Sequence, residues 1–171
     1  MAYNAGASDG NLVLLSSQQA SGASILEFKS VITSKYNDYV LRCSGVTGSG
    51  VANLLSQYST DNGSTYLAGG NYNGAGFQSS HDSGAFFAQN GQDQIIIIQD
   101  MSGVCQYAYC NYFGINLNLQ PFVTISCGTS AVANYWQYQY VYSSSIIVNA
   151  FKIYPNAGTI SGSFNLYGVQ K

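Results

Sequence analysis

Charge is scarce in this chain: 7% of its 171 residues are Asp, Glu, Lys or Arg, against a usual fraction of about 25% in soluble domains. The polar surface therefore has to come from Ser, Asn, Gln, Thr and Gly. That neutral mixture suits extracellular surfaces and subunit interfaces, where each charge would need costly desolvation. The five basic residues, Lys29, Lys35, Arg42, Lys152 and Lys171, are scattered, and the formal charge is −2. The basic stripe that phosphate contacts need is missing, so nucleic acid is not an expected partner.

Catalytic and metal-binding residue types are just as sparse. His81 is the single histidine and no Cys-x-x-Cys pair exists. Metal sites draw on clustered His, Cys or carboxylate ligands, so neither a metal nor a cofactor is expected. Cys105 and Cys110 are five apart, and on a straight strand they point to opposite faces. His81-Asp82 is the one His/Asp juxtaposition. Sequence neighbours seldom orient each other as a catalytic triad requires, and the pair reads as a solvated loop. Glycoside hydrolysis uses two carboxylates across a cleft. Seven acids are spread along the chain, and no motif marks a pair among them.

Long hydrophobic runs are absent too. The runs 12–15 and 95–98 hold four residues each, whereas a spanning helix needs about 20. The first ten residues carry no positive charge, so no export signal is read and synthesis in a cytoplasm is expected. The four cysteines, Cys43, Cys105, Cys110 and Cys127, allow three pairings if all are oxidised. A cytoplasmic origin favours buried thiols instead.

What the chain does have is alternation with a period of two, bounded by turn residues, and this is what half-buried strands produce. In 135–142 the split is sharp: Trp136, Tyr138, Tyr140 and Tyr142 share a face opposite Gln137 and Gln139. Similar strands are read at 12–19, 25–32, 39–46, 51–58, 94–99, 104–113, 121–127, 146–154 and 163–169. Asn62-Gly63 tolerates positive φ at both central positions of a tight turn, so strands are expected on both sides of it. That turn also accounts for the glycosylation-like Asn62-Gly63-Ser64. Pro155-Asn156-Ala157-Gly158 reads in the same way as the turn of a closing hairpin over 146–169.

Many short strands, two prolines and no helical stripe indicate an all-β, antiparallel sandwich or jelly roll, with 1–11 as a short arm and 12–171 as one domain. A chain of this length buries roughly 70% of its unfolded surface and needs no staples. The stretch 67–90 is rich in Gly, Asn, Ser and Gln. It is either a long functional connection or one or two irregular edge strands. Contact with a receptor or partner is expected here and just before it, at Tyr66, Asn71, Tyr72, Asn73, His81 and Asp82.

Aromatic residues make up 14% of the chain, with fifteen tyrosines. Tyrosine pairs a large apolar face with a hydrogen-bonding tip and serves recognition surfaces as well as cores. The Trp136/Tyr138/Tyr140/Tyr142 stripe is expected to pack sheet against sheet. Burial between subunits and a sugar platform are its other readings.

The order of segments resembles a family of bacteriophage tail and virion proteins often found at the C-terminal end of tail fibres. LVLLSSQQASGASILEFKSVITSKYNDYVLRCSGV, residues 12–46, resembles that family's strand, Ser/Ala-rich turn, I-x-F strand and aromatic-led strand ending near Gly. Residues 55–70 are similar to its R-x-S-x-D-G-G-S-T-F-x-S-G stretch, with Gln57 at a commonly basic position. SIIVNAFKIYPNAGTISGSFNLYGV, residues 145–169, resembles its V-x-x-I-R-F-x-x-x-x-G-x-I-x-S-G-T-F-x-L-Y-G-I ending, with Lys152 near the usual Arg.

The resemblance implies a β-sandwich exposed on a virion, trimeric, in contact with other virion proteins and with a host surface glycan or protein receptor, and no catalytic site. A start at Met1 close to the first strand suits a stand-alone subunit, such as a capsid decoration or a short separate fibre. A stand-alone carbohydrate-binding, lectin-like module is the alternative expectation, and a polysaccharide hydrolase the third.

Gly162 and Gly168 bracket 163–167, and such glycines mark close backbone approach. The last strand should therefore lie inside a sheet with Phe164 and Leu166 buried. Phe164→Ala is expected to cost about 3–5 kcal/mol in denaturant unfolding. A loss under about 1 kcal/mol would show the ring to be outside the core.

Overall fold

The computed structural model of the chain describes residues 12–50, 52–80, 83–99, 101, 105–129 and 134–170, and among these there is no helix. Twelve strands among the described residues form two antiparallel sheets. The larger runs β1 (Leu12–Ala23), β12 (Ile160–Val169), β3 (Asp38–Gly48), β8 (Cys105–Phe113), β9 (Phe122–Thr129), β10 (Asn134–Tyr142), β5 (Tyr72–Ser80), β6 (Ser83–Gln92). The smaller runs β2 (Leu26–Lys29), β11 (Ala150–Pro155), β4 (Leu54–Ser59), β7 (Ile95–Ile98). The fold is the antiparallel β-sandwich that the alternation predicts.

Register carries the alternation across the large sheet. Leu166, Leu41, Cys110, Ile125 and Tyr138 stand in one row over β12, β3, β8, β9 and β10, each at most 1% exposed. Leu54, Ile97, Phe151 and Ile153 of the small sheet join the same core cluster. The last strand pairs on both sides, with β1 and β3, and Phe164 is fully buried, as expected. Trp136, Tyr138, Tyr140 and Tyr142 are buried at 1–6% exposure, so the stripe is core within one chain and not a platform.

A run of ring contacts ties the two sheets together. Tyr72 meets Tyr142 (centroids 5.0 Å apart) and Tyr58 (5.6 Å). From Tyr58 the run passes to Tyr112 (6.3 Å), from there to Phe151 (5.2 Å), and ends on Phe28 (4.7 Å). The contacts therefore pass from β5 and β10 through β4 and β8 to β11 and β2. Tyr72 fixes its end of the run by hydrogen bonds: its hydroxyl accepts from the Tyr58 amide (2.9 Å) and donates to the Leu67 carbonyl (3.3 Å). Tyr39 does the same for 33–36, donating to the Thr33 carbonyl (2.6 Å) while accepting from the Thr33 amide (2.8 Å).

Three sequence readings are corrected or resolved here. The 60–64 turn does have positive φ at Asn62 (57°) and Gly63 (83°), but it closes no hairpin. The strand before it, β4, is in the small sheet, and the next, β5, is in the large one. Side chains hold the turn instead: Asp61 accepts from the Thr65 amide (2.9 Å) and hydroxyl (2.7 Å), and Ser59 Oγ accepts from the Gly63 amide (2.8 Å). The two Thr65 bonds, with one donated by the Ser59 hydroxyl (2.7 Å), lower the Asp61 pKa to about 2. Likewise 155–158 is a crossover between sheets, because β11 and β12 belong to different layers. A turn signal marks a reversal of the chain, and only register decides whether the two strands pair. The open stretch 67–90 resolves into β5 and β6, two strands at one end of the large sheet.

Burial drives the phenol pKa values of Tyr58, Tyr72, Tyr112, Tyr138 and Tyr140 upward. A raised phenol keeps its proton in the fold after the unfolded chain has lost it, so stability is unchanged below about pH 10 and falls as pH rises beyond that. Alkaline titration should show phenolate absorbance from these rings appearing together with loss of tertiary circular dichroism. Smooth ionisation of all tyrosines in a still-folded chain would contradict the placement of the rings.

Candidate functional site

The outward rows of the large sheet form a regular surface eight strands wide. One row passes through all eight strands: Ser17, Asn165, Arg42, Tyr109, Ser126, Gln137, Phe77, Phe86. The row on one side of it contains Tyr167, Val40, Asn111, Thr124, Gln139, Ala75 and Ala88, and the row on the other Ser163, Ser44, Tyr107, Gly128, Tyr135, Ser79 and Gly84. Arg42 is the one charged residue in these rows. Its guanidinium lies over the rings of Tyr109 (5.5 Å) and Tyr167 (5.1 Å), so its charge is partly covered. No carboxylate stands in the rows, and the chemistry they offer is amide, hydroxyl and ring.

A groove crosses the end of this face over β10, β5 and β6. Ala75, Phe77, Phe86, Gln137 and Gln139 line a depression of about 400 Å³. A second, of about 220 Å³, shares Ala75 and Gln139 and adds Asn73, Asn90, Phe122 and Val141. Phe86 stands 87% exposed, with its ring 5.0 Å from that of Phe77.

The floor of the groove owes its shape to glycine. On the inward side of β5, Gly74 and Gly76 lie opposite Tyr140 and Tyr138 in register. A Cβ on Gly74 would sit 2.4 Å from the Tyr140 ring, and one on Gly76 2.7 Å from both the Gln137 carbonyl and the Phe87 ring. The large rings of the neighbouring strands occupy the volume that side chains of β5 would have filled.

Three of the six residues expected to make contacts, Tyr66, Asn71 and Tyr72, are engaged within the fold. Tyr72 is fully buried and belongs to the ring contacts between sheets, which corrects its reading as a surface residue. The Asn71 side chain donates to the carbonyls of Ala68 (3.3 Å) and Gly69 (3.2 Å), so it braces its own loop. Asn73 lines the smaller depression while accepting from the Gly91 amide (2.9 Å). His81 and Asp82 lie outside the described residues.

Tyr66 lies with the outward side chains of the small sheet, donating to Glu27 Oε1 (2.6 Å), with Lys152 Nζ 4.5 Å from its ring centre. Glu27 also pairs with Lys29 (2.8 Å). The Lys29 and Tyr66 hydrogen bonds hold its carboxyl below the usual range. Each charge there has a partner, and exposed pairs of this kind contribute little.

Phe77, Phe86, Gln137 and Gln139 lie outside the set of contacts that the sequence leads one to expect. Gln137 and Gln139 were legible as the face opposite the Tyr stripe, whereas the phenylalanines were hidden in the Gly-rich stretch.

Among the described residues no group of three His, Cys, Asp or Glu side chains could hold a metal. Cys43, Cys110 and Cys127 are buried thiols. Burial raises the Cys110 thiol well above its ordinary value, the opposite of what a nucleophile needs.

No protein-family model matches the chain, and no curated protein matches its sequence. Among solved structures it is similar to a prokaryotic β-1,3-1,4-glucanase (lichenase) derived from a mouse hindgut metagenome, 9% identical with a TM-score of 0.37 over 85% of this chain and 71% of that one. Bacillus licheniformis β-glucanase is 12% identical, with a TM-score of 0.25 over 99% and 94% of the two chains. A fructosyltransferase from A. japonicus is 8% identical, with a TM-score of 0.31 over 95% and 27%. Likeness at this level says nothing of what the present chain binds or does.

Gly76→Ala should destabilise the chain by about 1–3 kcal/mol, because a backbone carbonyl must give way to the new methyl. Gly50, with nothing within 4 Å of an added Cβ, is the control, and its alanine variant should stay within about 0.5 kcal/mol of the parent. Equal effects at the two positions, measured by denaturant melts, would contradict the packing described for β5.

Proposed function

We propose that the chain is a non-catalytic structural component of a bacteriophage particle surface, in a tail fibre or as a capsid decoration, and that it works through the outward face of its large sheet. One observation carries this reading: the three central rows of outward side chains hold a single, ring-covered charge, and Asp38, the one carboxylate in the row beyond, accepts from the Gly114 amide (3.2 Å). Two opposed carboxylates are what most glycosidases require. Flat, uncharged, aromatic-containing surfaces are what subunit and receptor contacts require. The order of segments in 12–46, 55–70 and 145–169 supports a virion setting, through its resemblance to tail and virion proteins.

A second reading, a lectin-like module, draws on the groove itself. Phe77 and Phe86 offer rings to the apolar faces of a sugar, while Gln137, Gln139 and Asn73 offer amides to its hydroxyls. With no charge lining it, the groove favours a neutral glycan.

Mass spectrometry of purified particles of the phage that encodes the chain should find it in stoichiometric amount, and antibodies to it should label their exterior. Absence from washed particles would sink the proposal. On a glycan array, binding to neutral sugars that is lost in Gln139→Ala would give the face a receptor role. Release of reducing ends from host envelopes would contradict the non-catalytic reading.

A further inference from the structure

Two sheets have four edges, and three of them are protected against pairing by familiar means. The β2 edge is four residues long and carries Glu27 and Lys29. The β7 edge is also four residues long, and all four are buried. The β1 edge is long, but its register is broken twice, between Leu14 and Ser16 and between Ala20 and Ala23, and such breaks bend an edge away from a partner.

The fourth edge, β6, is the least protected: its one register break falls at the far end, between Gln89 and Gln92. It runs ten residues as SGAFFAQNGQ with no charge and no proline. It pairs with β5 in unbroken register from Ser83 to Gln89 and ends the large sheet. It also carries the most exposed large apolar side chain among the described residues, Phe86. Among the described residues no strand pairs with this edge, so its row of backbone donors and acceptors stands open.

We infer that β6 is an assembly edge, and that its occupant is β6 of a second copy, antiparallel about a two-fold axis, which joins two eight-stranded sheets into one. The choice of partner follows from charge and symmetry. Neither β5 nor β6 carries a charged residue, so pairing the strand with itself brings no like charges together, the usual barrier to self-pairing. A two-fold axis perpendicular to the sheet keeps Phe86 and Phe77 of both copies on one face, so their exposed rings gain cover as the backbone groups gain partners.

The contact is isologous and closes on itself. It uses up the least protected edge, so the sheet does not go on growing. A three-fold ring through this strand would need β6 to pair with some other edge, and each of those is short, charged, buried or broken. The inference concerns the isolated chain and stands or falls independently of its location on a particle.

The test is sedimentation equilibrium of the full chain over a range of concentrations, with hydrogen exchange read in parallel. A dimer is expected, with protection of amides in Ser83–Gln92 that rises with concentration and no such rise in Leu12–Ala23. Phe86→Lys should weaken dimerisation by roughly tenfold or more, and Ala88→Lys, on the same outward face, should do so independently if the first variant folds poorly. Leu14→Lys on the β1 edge should leave it unchanged. A monomer at every concentration, a trimer, or a dimer indifferent to both β6 lysines would overturn the inference.

Discussion

The structure depends on one constraint: a set of tyrosine and phenylalanine rings, shut between two sheets, has to pack its faces while taking phenol hydroxyls out of water, with Tyr72 paired to backbone and the Tyr58 and Tyr112 hydroxyls buried without a hydrogen bond among the described residues. Tyr58 lies within 6.4 Å, centre to centre, of Tyr72, Tyr112 and Tyr142, along the contacts that join β4 to β5, β8 and β10. Each ring buries a large apolar area, and arrangements between edge-on and tilted add to that burial. The hydroxyl of Tyr72 meets its demand on backbone, so packing and hydrogen bonding fix the same geometry. A core of leucine would fill the space without specifying which strands lie opposite.

From this follows the way the large sheet extends past the small one. Tyr72 opens β5 and stands opposite Tyr142 on β10, which seats the β5–β6 hairpin at its inner end. Further along β5, Gly74 and Gly76 give way to Tyr140 and Tyr138. Rings anchored on one strand thus take the place of side chains on the next. The same exchange holds at the other end of the sheet, where Tyr36 lies against Gly168. Outward, the small residues of β5 leave the groove between Phe86 and the glutamines of β10.

This exchange also explains what was legible in the sequence and what was not. Strands whose own residues alternate, such as β10, β12 and β3, could be read directly, because each carries its apolar face in its own letters. β5 and β6 could not, because Gly74 and Gly76 leave the inward volume of β5 to rings on β10 and β6, and the run SGAFFAQNGQ sets the inward Phe87 directly beside the outward Phe86. Turn chemistry had the same limit. Asn62 and Gly63 adopt the backbone their residue types favour, yet no local signal says that the chain changes sheet there. Tyr72 illustrates the general difficulty with tyrosine: beside Asn71 and Asn73 it reads as a recognition residue, and only long-range packing reveals it as core. The groove residues Phe77 and Phe86 went unmarked because they meet through strand register and not through sequence proximity.

Low charge joins the fold to the proposed role. A face whose three central rows hold one ring-covered arginine, with Asp38 in the row beyond, costs little to desolvate over a broad area, which suits contact with other subunits or a neutral ligand. The most direct measurement is hydroxyl-radical footprinting of the chain in its native assembly against the isolated chain. The account predicts protection of Phe77, Phe86, Tyr109 and Tyr135 on the outward face of the large sheet, with Tyr66 and Tyr154 over the small sheet unchanged. Protection confined to Tyr66 and Tyr154, with the large face oxidised equally in both states, would contradict it.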